Sequence, residues 1–183
     1  MKKITLPYYE TKKGSALTKE EEKRLVAFCI QNIESAASSA LLILLYFGLR
    51  KSELATISVE GEELTCITSK TRLGKGEVRR TIPFTPVFKR VLEYVDFEKA
   101  KATNVHTIDS AMKRLFPSRH THELRYTFIT RAKECGVSGE VVMLWDGHTY
   151  DRDVKTSVID RGYTTYSKEF ILKEAEKVDY ELI

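Results

Sequence analysis

Two residues near the middle of the chain have the spacing of an anion-binding pair. His122 and Arg125 are three positions apart, so on a helix they would share one face. An imidazole and a planar guanidinium on one face can together hydrogen-bond a single anion. A polar helix face exposed to solvent has the same spacing, so the pair alone leaves both interpretations open.

A third candidate is Arg50, which follows Gly48 and a long apolar stretch. A charged side chain directly after a buried segment must emerge into a cleft or at the surface. Taken alone, an ordinary surface arginine explains it equally well. His148, Tyr163 and Tyr166 lie in a polar segment. They are ambiguous in the same way, because a loop histidine often has no role and tyrosines often serve only for packing.

The charge distribution favours a polyanionic partner. The 183-residue chain has a formal net charge of +4 and a pI near 8.8. Basic residues concentrate in residues 70–80 and 113–125, whereas acids collect in residues 20–22, 60–63 and the C-terminal tail. Segregated charge indicates a DNA-facing side, with an ordinary solvated surface as the alternative.

Composition excludes several classes of protein. Cys29, Cys66 and Cys135 are scattered and form no CxxC motif, which argues against a disulfide framework or a zinc site and suits a reducing cytosol. No apolar run approaches the roughly 18–20 residues of a membrane span. The basic start of the chain lacks the apolar stretch and cleavage site of a signal peptide.

The elements that would position the candidate side chains are mostly helical. Residues 18–21 (TKEE) have a capping-box pattern that starts a helix, and residues 35–46 are apolar nearly all round, which predicts a buried helix that ends at Gly48. Two β-rich stretches, residues 64–71 and 78–84, flank Gly74 and Gly76 and predict a hairpin. Further helices are expected at residues 50–57, 87–95, 106–116, 121–135, 139–144 and 168–178. The predicted fold class is mainly α with a small antiparallel β-sheet (α+β).

Taken in order along the chain, the candidate residues stop being independent signals. Residues 47–54 read FGLRKSEL, residues 69–71 read SKT, residues 122–130 read HELRYTFIT, residues 147–148 read GH and residues 163–164 read YT. This series resembles the tyrosine recombinase (phage integrase) family over about residues 16–180, and looks closest to integrases of phages or conjugative transposons. The resemblance implies the family's catalytic-domain fold. It also implies a site-specific recombinase that cuts and rejoins DNA through a 3′-phosphotyrosine without metal, cofactor or ATP.

The resemblance also assigns roles at the reacting phosphate. Arg50 and Arg125 would hold the non-bridging oxygens of the scissile phosphate and neutralise the charge of its pentacoordinate transition state. Lys70 would protonate the leaving 5′-oxygen. His122 would assist proton transfer at the nucleophile.

Further residues complete the implied site. Tyr163 would attack phosphorus, His148 would hydrogen-bond the phosphate, and Glu53 would support the site from behind. Five residues would contact the DNA around it: Arg72, Lys75, Arg79, Arg119 and His120.

Three features depart from the family pattern. Lys70 matches the Ser-Lys-Thr box, but Lys75 has the family's usual distance from the proline of the second strand (83 − 75 = 8), so Lys75 is the alternative to Lys70. The box before the second histidine reads WDGH instead of LGH. The gap from His148 to Tyr163 (163 − 148 = 15) is longer than usual. Tyr163 is preferred because a Ser-Lys-Glu run and an apolar helix follow it, with Tyr166 as the alternative nucleophile.

The resemblance further implies a domain organisation and partners. Residues 1–16 would be a linker or arm, residues 17–183 the catalytic domain, and the family's core-binding domain would be absent from this chain. The expected partners are double-stranded DNA and other copies of the protein, as a dimer to tetramer on DNA to which the C-terminal helix could contribute. The expected place of action is the cytoplasm of a bacterial host, without a membrane partner. A non-catalytic DNA-binding module of the same fold and a strand transferase like the type IB topoisomerases remain as alternatives.

Overall fold

The computed structural model describes residues 14–69, 77–147 and 166–181. Within these ranges the chain forms helices around one small sheet, which confirms the predicted mainly α fold with an antiparallel sheet. The helices are α1 (Lys19–Gln31), α2 (Ala36–Phe47), α3 (Pro86–Lys89), α4 (Phe97–Ala102), α5 (Val105–Leu115), α6 (His122–Glu134), α7 (Gly139–Asp146) and α8 (Lys168–Glu176), and the strands are β1 (Ser58–Glu60), β2 (Glu63–Ile67) and β3 (Arg79–Pro83). Two 3₁₀ turns, Lys51–Thr56 and Leu92–Tyr94, connect them.

Helix α2 is the centre of the core, as its apolar composition predicted. Every residue from Ala37 to Phe47 is buried, and α1, α4, α5 and α6 pack around it. The helix ends at Gly48, whose φ of +59° lies in the left-handed region that favours glycine. A Cβ at this position would clash with the ring of Phe128 in α6. Glycine therefore allows both the turn after α2 and the close approach of α6.

Helix α1 begins at the predicted capping box. The Thr18 hydroxyl accepts a hydrogen bond from the Glu21 amide at 3.1 Å, and the Glu21 carboxylate accepts one from the Thr18 amide at 2.9 Å. These two bonds satisfy amide donors that an uncapped helix leaves unpaired.

The sheet has the order β1-β2-β3 and is antiparallel throughout. Leu64 pairs with Ile82, and Cys66 with Arg80, so these four side chains share the buried face. The two longer strands confirm the predicted hairpin arms. Strand β1 was not predicted, because three exposed residues carry no alternation of buried and exposed positions.

The prediction of one continuous helix over residues 87–95 was wrong. Helix α3 is capped by Thr85 and stops after a single turn, and Leu92–Tyr94 continues only as a 3₁₀ turn. Phe88, in α3, packs edge-to-face against Phe47 and Phe84, with ring centroids 4.6 and 4.9 Å apart. The buried Val91 then leaves the helical region, with φ −112° and ψ 3°, so tertiary packing overrides the helical spacing of this segment.

The C-terminal segment packs on its own chain. Val178 is buried, and its carbonyl accepts a hydrogen bond from the Val87 amide at 3.2 Å. The Tyr180 hydroxyl donates to Glu22 at 2.6 Å, and Arg90 donates to the Tyr180 carbonyl at 2.7 Å. Residues 177–181 thus join α3 to α1. Among the described helices, none is both long and apolar enough to cross a membrane.

Candidate active site

Arg50 emerges where the chain leaves the core after α2. Its backbone amide donates to Glu53 Oε2 at 2.8 Å, and its Nη1 donates to Glu53 Oε1 at 3.0 Å. The side chain is only 14% exposed. The carboxylate of Glu53, three residues further on in the turn that follows α2, therefore holds the Arg50 guanidinium.

Glu53 is a fully buried carboxylate that ties three parts of the chain together. Besides Arg50, it accepts hydrogen bonds from the Ser69 amide at 3.0 Å and from Arg80 Nη2 at 2.7 Å. Burial by itself would raise the pKa of Glu53, but the hydrogen bonds from Arg80 and Ser69 outweigh it and lower the pKa to about 2. Glu53 is therefore ionised at neutral pH. It ties Ser69, which follows β2, and Arg80, in β3, to the 3₁₀ turn in which Glu53 lies.

We expect Glu53→Gln to destabilise the fold at neutral pH, because it leaves the buried Arg80 without its counter-charge. Removing one partner of a buried ion pair costs about 3–5 kcal/mol. The folded-state pKa is depressed from 4.5 to about 2. The ionised carboxylate therefore stabilises the fold by about 3 kcal/mol above pH 4.5, and this stabilisation is lost as pH falls toward 2. Urea unfolding at a series of pH values measures it.

A matched substitution separates this effect from a general loss of negative charge. Glu62→Gln removes a carboxylate that is 70% exposed and pairs with Lys89, so it should change stability little. The difference in unfolding free energy between wild type and Glu53→Gln should shrink as pH falls below 4.5. A difference that stayed constant to pH 2 would contradict the assigned ionisation of Glu53.

Arg80 is the site residue that the sequence analysis missed. It is 8% exposed, donates from Nε to the Trp145 carbonyl at 2.7 Å and from Nη1 to the Thr68 hydroxyl at 3.2 Å, and also binds Glu53. A Cβ at position 147 would lie 3.1 Å from Arg80 Nη1. Arg80 therefore joins the sheet to the end of α7, directly before residue 148.

The signal for Arg80 was present in the strand pattern. Along β3, alternate residues point to the core, and Arg80 falls in register with Ile82 on the buried face. Arg79, which the sequence analysis proposed as a DNA contact, lies on the other face, is 66% exposed and pairs with Glu77 at 3.3 Å. Residues 79 and 80 are both arginines, and only the register of β3 determines which of the two side chains is buried.

Arg125 projects from α6 into the same region as Arg50. Its Nη1 donates to the Gly48 carbonyl at 2.7 Å, and its Nη2 donates to the Asp146 carbonyl. The Asp146 carboxylate lies 3.7 Å from Nη2 of Arg125, and Arg125 is only 2% exposed. Burial and the positive charge of Arg50 lower the pKa of Arg125 to about 10. The structure thus brings the two predicted arginines together from positions far apart in the sequence.

The predicted histidine of this pair lies one turn before Arg125. His122 is the first residue of α6 and is exposed, and its ring packs edge-to-face on Tyr126 with the centroids 5.3 Å apart. His120 is also exposed, and its backbone amide donates to the Glu123 carboxylate at 2.9 Å.

A cleft of about 500 Å³ lies beside Arg50 and His122. Arg119, proposed as a DNA contact, lines this cleft, but its Nε donates to Glu21 at 2.9 Å and its Nη1 to the Ser15 hydroxyl at 2.8 Å. The cationic side chains around the cleft are Arg50, Lys51, Lys113 and Arg119.

The structure describes one of the two candidate nucleophiles. Tyr166, the alternative nucleophile, is partly buried, and its ring stacks on Phe170 with the centroids 5.1 Å apart. Within the described ranges, no group of three His, Cys, Asp or Glu side chains could hold a metal ion. The proposed residues that lie outside the described ranges are Lys70, Arg72, Lys75, His148 and Tyr163.

Comparison with known proteins supports the predicted family. A tyrosine recombinase of Thermosipho africanus is 26% identical over 171 residues, covering 81% of this chain and 58% of that protein. A tyrosine recombinase of Pseudothermotoga lettingae is 30% identical over 152 residues, covering 73% of this chain and 52% of that protein. The chain is similar to these curated tyrosine recombinases, which supports the family that its motifs predicted. No family model matches it, and it spans little more than half the length of these two recombinases.

Solved structures show the same recombinase fold. The integrase of mycobacterium phage Brujita matches with a TM-score of 0.60 at 22% identity, over 96% of this chain and 62% of that one. The Tn1549 transposon integrase, solved with circular intermediate DNA, matches with a TM-score of 0.53 at 20% identity, over 91% and 66%. The recombinase XerH, bound to its difH substrate, gives 0.53 at 15% identity, over 74% and 47%. The fold predicted from the recombinase motifs is confirmed.

Proposed function

We propose that this chain is the catalytic domain of a site-specific DNA recombinase, which cuts and rejoins strands through a covalent 3′-phosphotyrosine at Tyr163. The observation that carries the proposal is the convergence of Arg50 and Arg125. Arg125 donates to the carbonyl of Gly48, 77 positions earlier in the chain and two before Arg50. A tertiary contact thus brings two guanidinium groups to the same corner of the fold.

The electrostatics of this corner suit a phosphodiester. The negative charge of Glu53 is shared between Arg50 and Arg80. Arg125 instead donates to two neutral carbonyls, and the Asp146 carboxylate lies 3.7 Å from its Nη2. Burial first, and then the positive charge of Arg50, lower the pKa of Arg125. An added phosphate anion would relieve that repulsion, most strongly when extra charge develops on its oxygens during the reaction.

Each step of the proposed reaction forms one phosphoester bond as it breaks another. The Tyr163 hydroxyl oxygen attacks phosphorus as its proton leaves with the help of His122, and the 5′-oxygen departs with a proton from Lys70. His148 holds a phosphate oxygen. A 5′-hydroxyl of the same or another strand then attacks the phosphotyrosine and releases Tyr163 unchanged. Neither step needs ATP or a metal ion.

Lys70 remains our choice for the general acid over Lys75. Its neighbour Ser69 donates from both its backbone amide and its hydroxyl to Glu53 Oε1, at 3.0 and 3.2 Å, and the same oxygen accepts from Arg50 Nη1. The residue next to Lys70 therefore shares a carboxylate oxygen with Arg50.

We expect Lys70→Ala to slow strand cleavage by about 10²–10⁴-fold, the usual contribution of a general acid, and Lys75→Ala to slow it far less. A DNA substrate with sulfur in place of the leaving 5′-oxygen separates acid catalysis from DNA binding, because a thiolate leaves without protonation. The sulfur substrate should restore the rate of Lys70→Ala. Rescue of Lys75→Ala instead would assign the acid to Lys75.

Partners follow from the same proposal. Double-stranded DNA would be contacted by Arg72, Lys75, Arg79, Arg119 and His120, and a DNA contact by Arg119 would have to compete with its bonds to Glu21. The integrase and recombinase structures with DNA support a DNA substrate. We further propose a homo-oligomer, dimer to tetramer, on DNA in the cytoplasm of a bacterial host.

A pool of nicked DNA duplexes with a randomised sequence around the nick tests the function. Cleavage close to the nick releases a short fragment, so the covalent complex cannot be religated and accumulates. We expect the chain to form adducts that survive denaturation, and sequencing of the trapped DNA to reveal the preferred site. Peptide mapping should place the nucleotide on Tyr163. DNA binding without any adduct would favour a non-catalytic module.

A further inference from the structure

The segment that leads into α1 lies along α6, the helix that carries His122 and Arg125. We name residues 14–17 the lead-in strap. The Ser15 amide donates to the Glu123 carboxylate at 3.1 Å, and the Leu17 amide donates to the Thr127 hydroxyl at 2.8 Å. Arg131 Nη2 donates to the Leu17 carbonyl at 2.9 Å. Three bonds to successive turns of α6 thus fix the strap along the helix.

The strap begins in contact with the ring that supports His122. A Cβ at Gly14 would lie 2.8 Å from Cε2 and 3.2 Å from Cδ2 of Tyr126. The Tyr126 ring in turn meets the His122 ring edge-to-face at 5.3 Å. Gly14, Tyr126 and His122 therefore form a continuous series of contacts, in which the backbone of the strap lies against the tyrosine ring.

These contacts limit where the histidine can point. His122 and Tyr126 are four residues apart on one helix, and their mutual packing restricts both rings alongside the other interactions of His122. An edge-to-face aromatic pair shifts a conformational equilibrium by up to about tenfold. A proton-transfer group must also be held within about 0.5 Å of its working position.

We propose that Tyr126 is a positioning residue for His122 and that the lead-in strap sets it, so that displacing the strap slows strand cleavage without weakening DNA binding. The inference rests on the proposed function. Whatever precedes Gly14 in the chain would then influence the histidine through the docking of residues 14–17 on α6. The strap is bonded to Glu123, Thr127 and Arg131 of α6, and its Ser15 hydroxyl also accepts a hydrogen bond from Arg119 Nη1. None of these bonds involves Arg125, which donates to the carbonyls of Gly48 and Asp146, so the Arg125 clamp stays in place when the strap moves.

Gly14→Ala is the sharpest test, because its added methyl group meets the ring of an exposed side chain that can move aside. The matched control is Gly139→Ala, where a Cβ meets nothing within 4 Å. We expect Gly14→Ala to shift the imidazole resonances of His122 in NMR spectra. It should also lower the rate of adduct formation at saturating nicked DNA by about 3–10-fold, with unchanged Kd and Tm. Gly139→Ala should change neither the His122 resonances nor the rate of adduct formation.

A second pair of variants keeps the proposal falsifiable if Gly14→Ala folds poorly. Tyr126→Leu removes the ring and should reproduce both effects, whereas Tyr126→Phe keeps the ring and should retain the wild-type resonances and rate. Unchanged His122 resonances in Tyr126→Leu, or an unchanged cleavage rate, overturn the proposal. If wild type forms no adduct, the proposed function fails and the NMR comparison alone decides whether the strap positions His122.

Discussion

The Tyr163→Phe chain should bind nicked DNA but form no covalent adduct with it. Phenylalanine keeps the ring and lacks the oxygen that would attack phosphorus, so the first chemical step has no nucleophile. Because the substitution removes only a hydroxyl group, the Kd for DNA should change little. Gel separation of denatured complexes measures the adduct, and a binding titration on the same duplex measures the Kd.

Tyr166→Phe is the matched control for this experiment. The Tyr166 ring stacks on Phe170 at 5.1 Å with an interplanar angle of 19°, a contact that phenylalanine retains. This variant should form adducts at the wild-type rate. The reverse result, adducts in Tyr163→Phe and none in Tyr166→Phe, would assign the nucleophile to Tyr166. Loss in both variants would indicate that the segment acts as a unit and that neither hydroxyl alone explains the chemistry.

The second large effect is expected for Arg125→Lys, which keeps the positive charge and removes the planar fork. An ammonium cannot hold the Gly48 and Asp146 carbonyls and a phosphate oxygen in the fixed directions of a guanidinium. By analogy with the removal of one donor from an oxyanion hole, we expect the cleavage rate at saturating DNA to fall about 10²–10³-fold. Single-turnover adduct formation on the trapped sequence measures this rate.

Arg90→Lys controls for the general effect of shortening an arginine. Arg90 also donates to a backbone carbonyl, that of Tyr180, and to an aspartate, Asp179, but it belongs to the C-terminal packing. Its replacement should leave the cleavage rate near wild type. Thermal unfolding of both variants shows whether the fold is retained. A folded Arg125→Lys chain that cleaves at the wild-type rate would remove Arg125 from the proposed clamp.

The residues around Glu53 and Arg125 meet at one corner of the fold. Glu53 fixes Arg50 and Arg80, and Arg80 reaches the end of α7 through the Trp145 carbonyl. Arg125 reaches the same helix end through Asp146. The helix end before residue 148 is therefore held by two arginines from different elements, and loss of either should affect its neighbours.

Local patterns in the sequence predicted the elements that depend on neighbouring residues. The capping box of α1, the apolar run of α2 and the break at Gly48 are each specified within a few positions, so their structure follows from propensity and periodicity. The motif series around Arg50 and His122 also predicted the family, because residue types in a fixed order carry information without coordinates. The prediction of a helix over residues 87–95 failed because this segment packs against distant parts of the core, as Phe88 does on Phe47, and no local pattern shows that packing.

Other features depend on which distant segments meet, and only the tertiary structure decided them. Arg80 binds Trp145 across 65 positions, and Ser15 binds Glu123 across 108, contacts for which no local pattern exists. The choice between Arg79 and Arg80 depends on strand register, which pairing with β2 fixes. The sequence by itself determined the helices with local signals and predicted which residues would contact a phosphate. Because burial and electrostatic coupling arise only when remote segments pack, the partners that hold those residues followed from the fold.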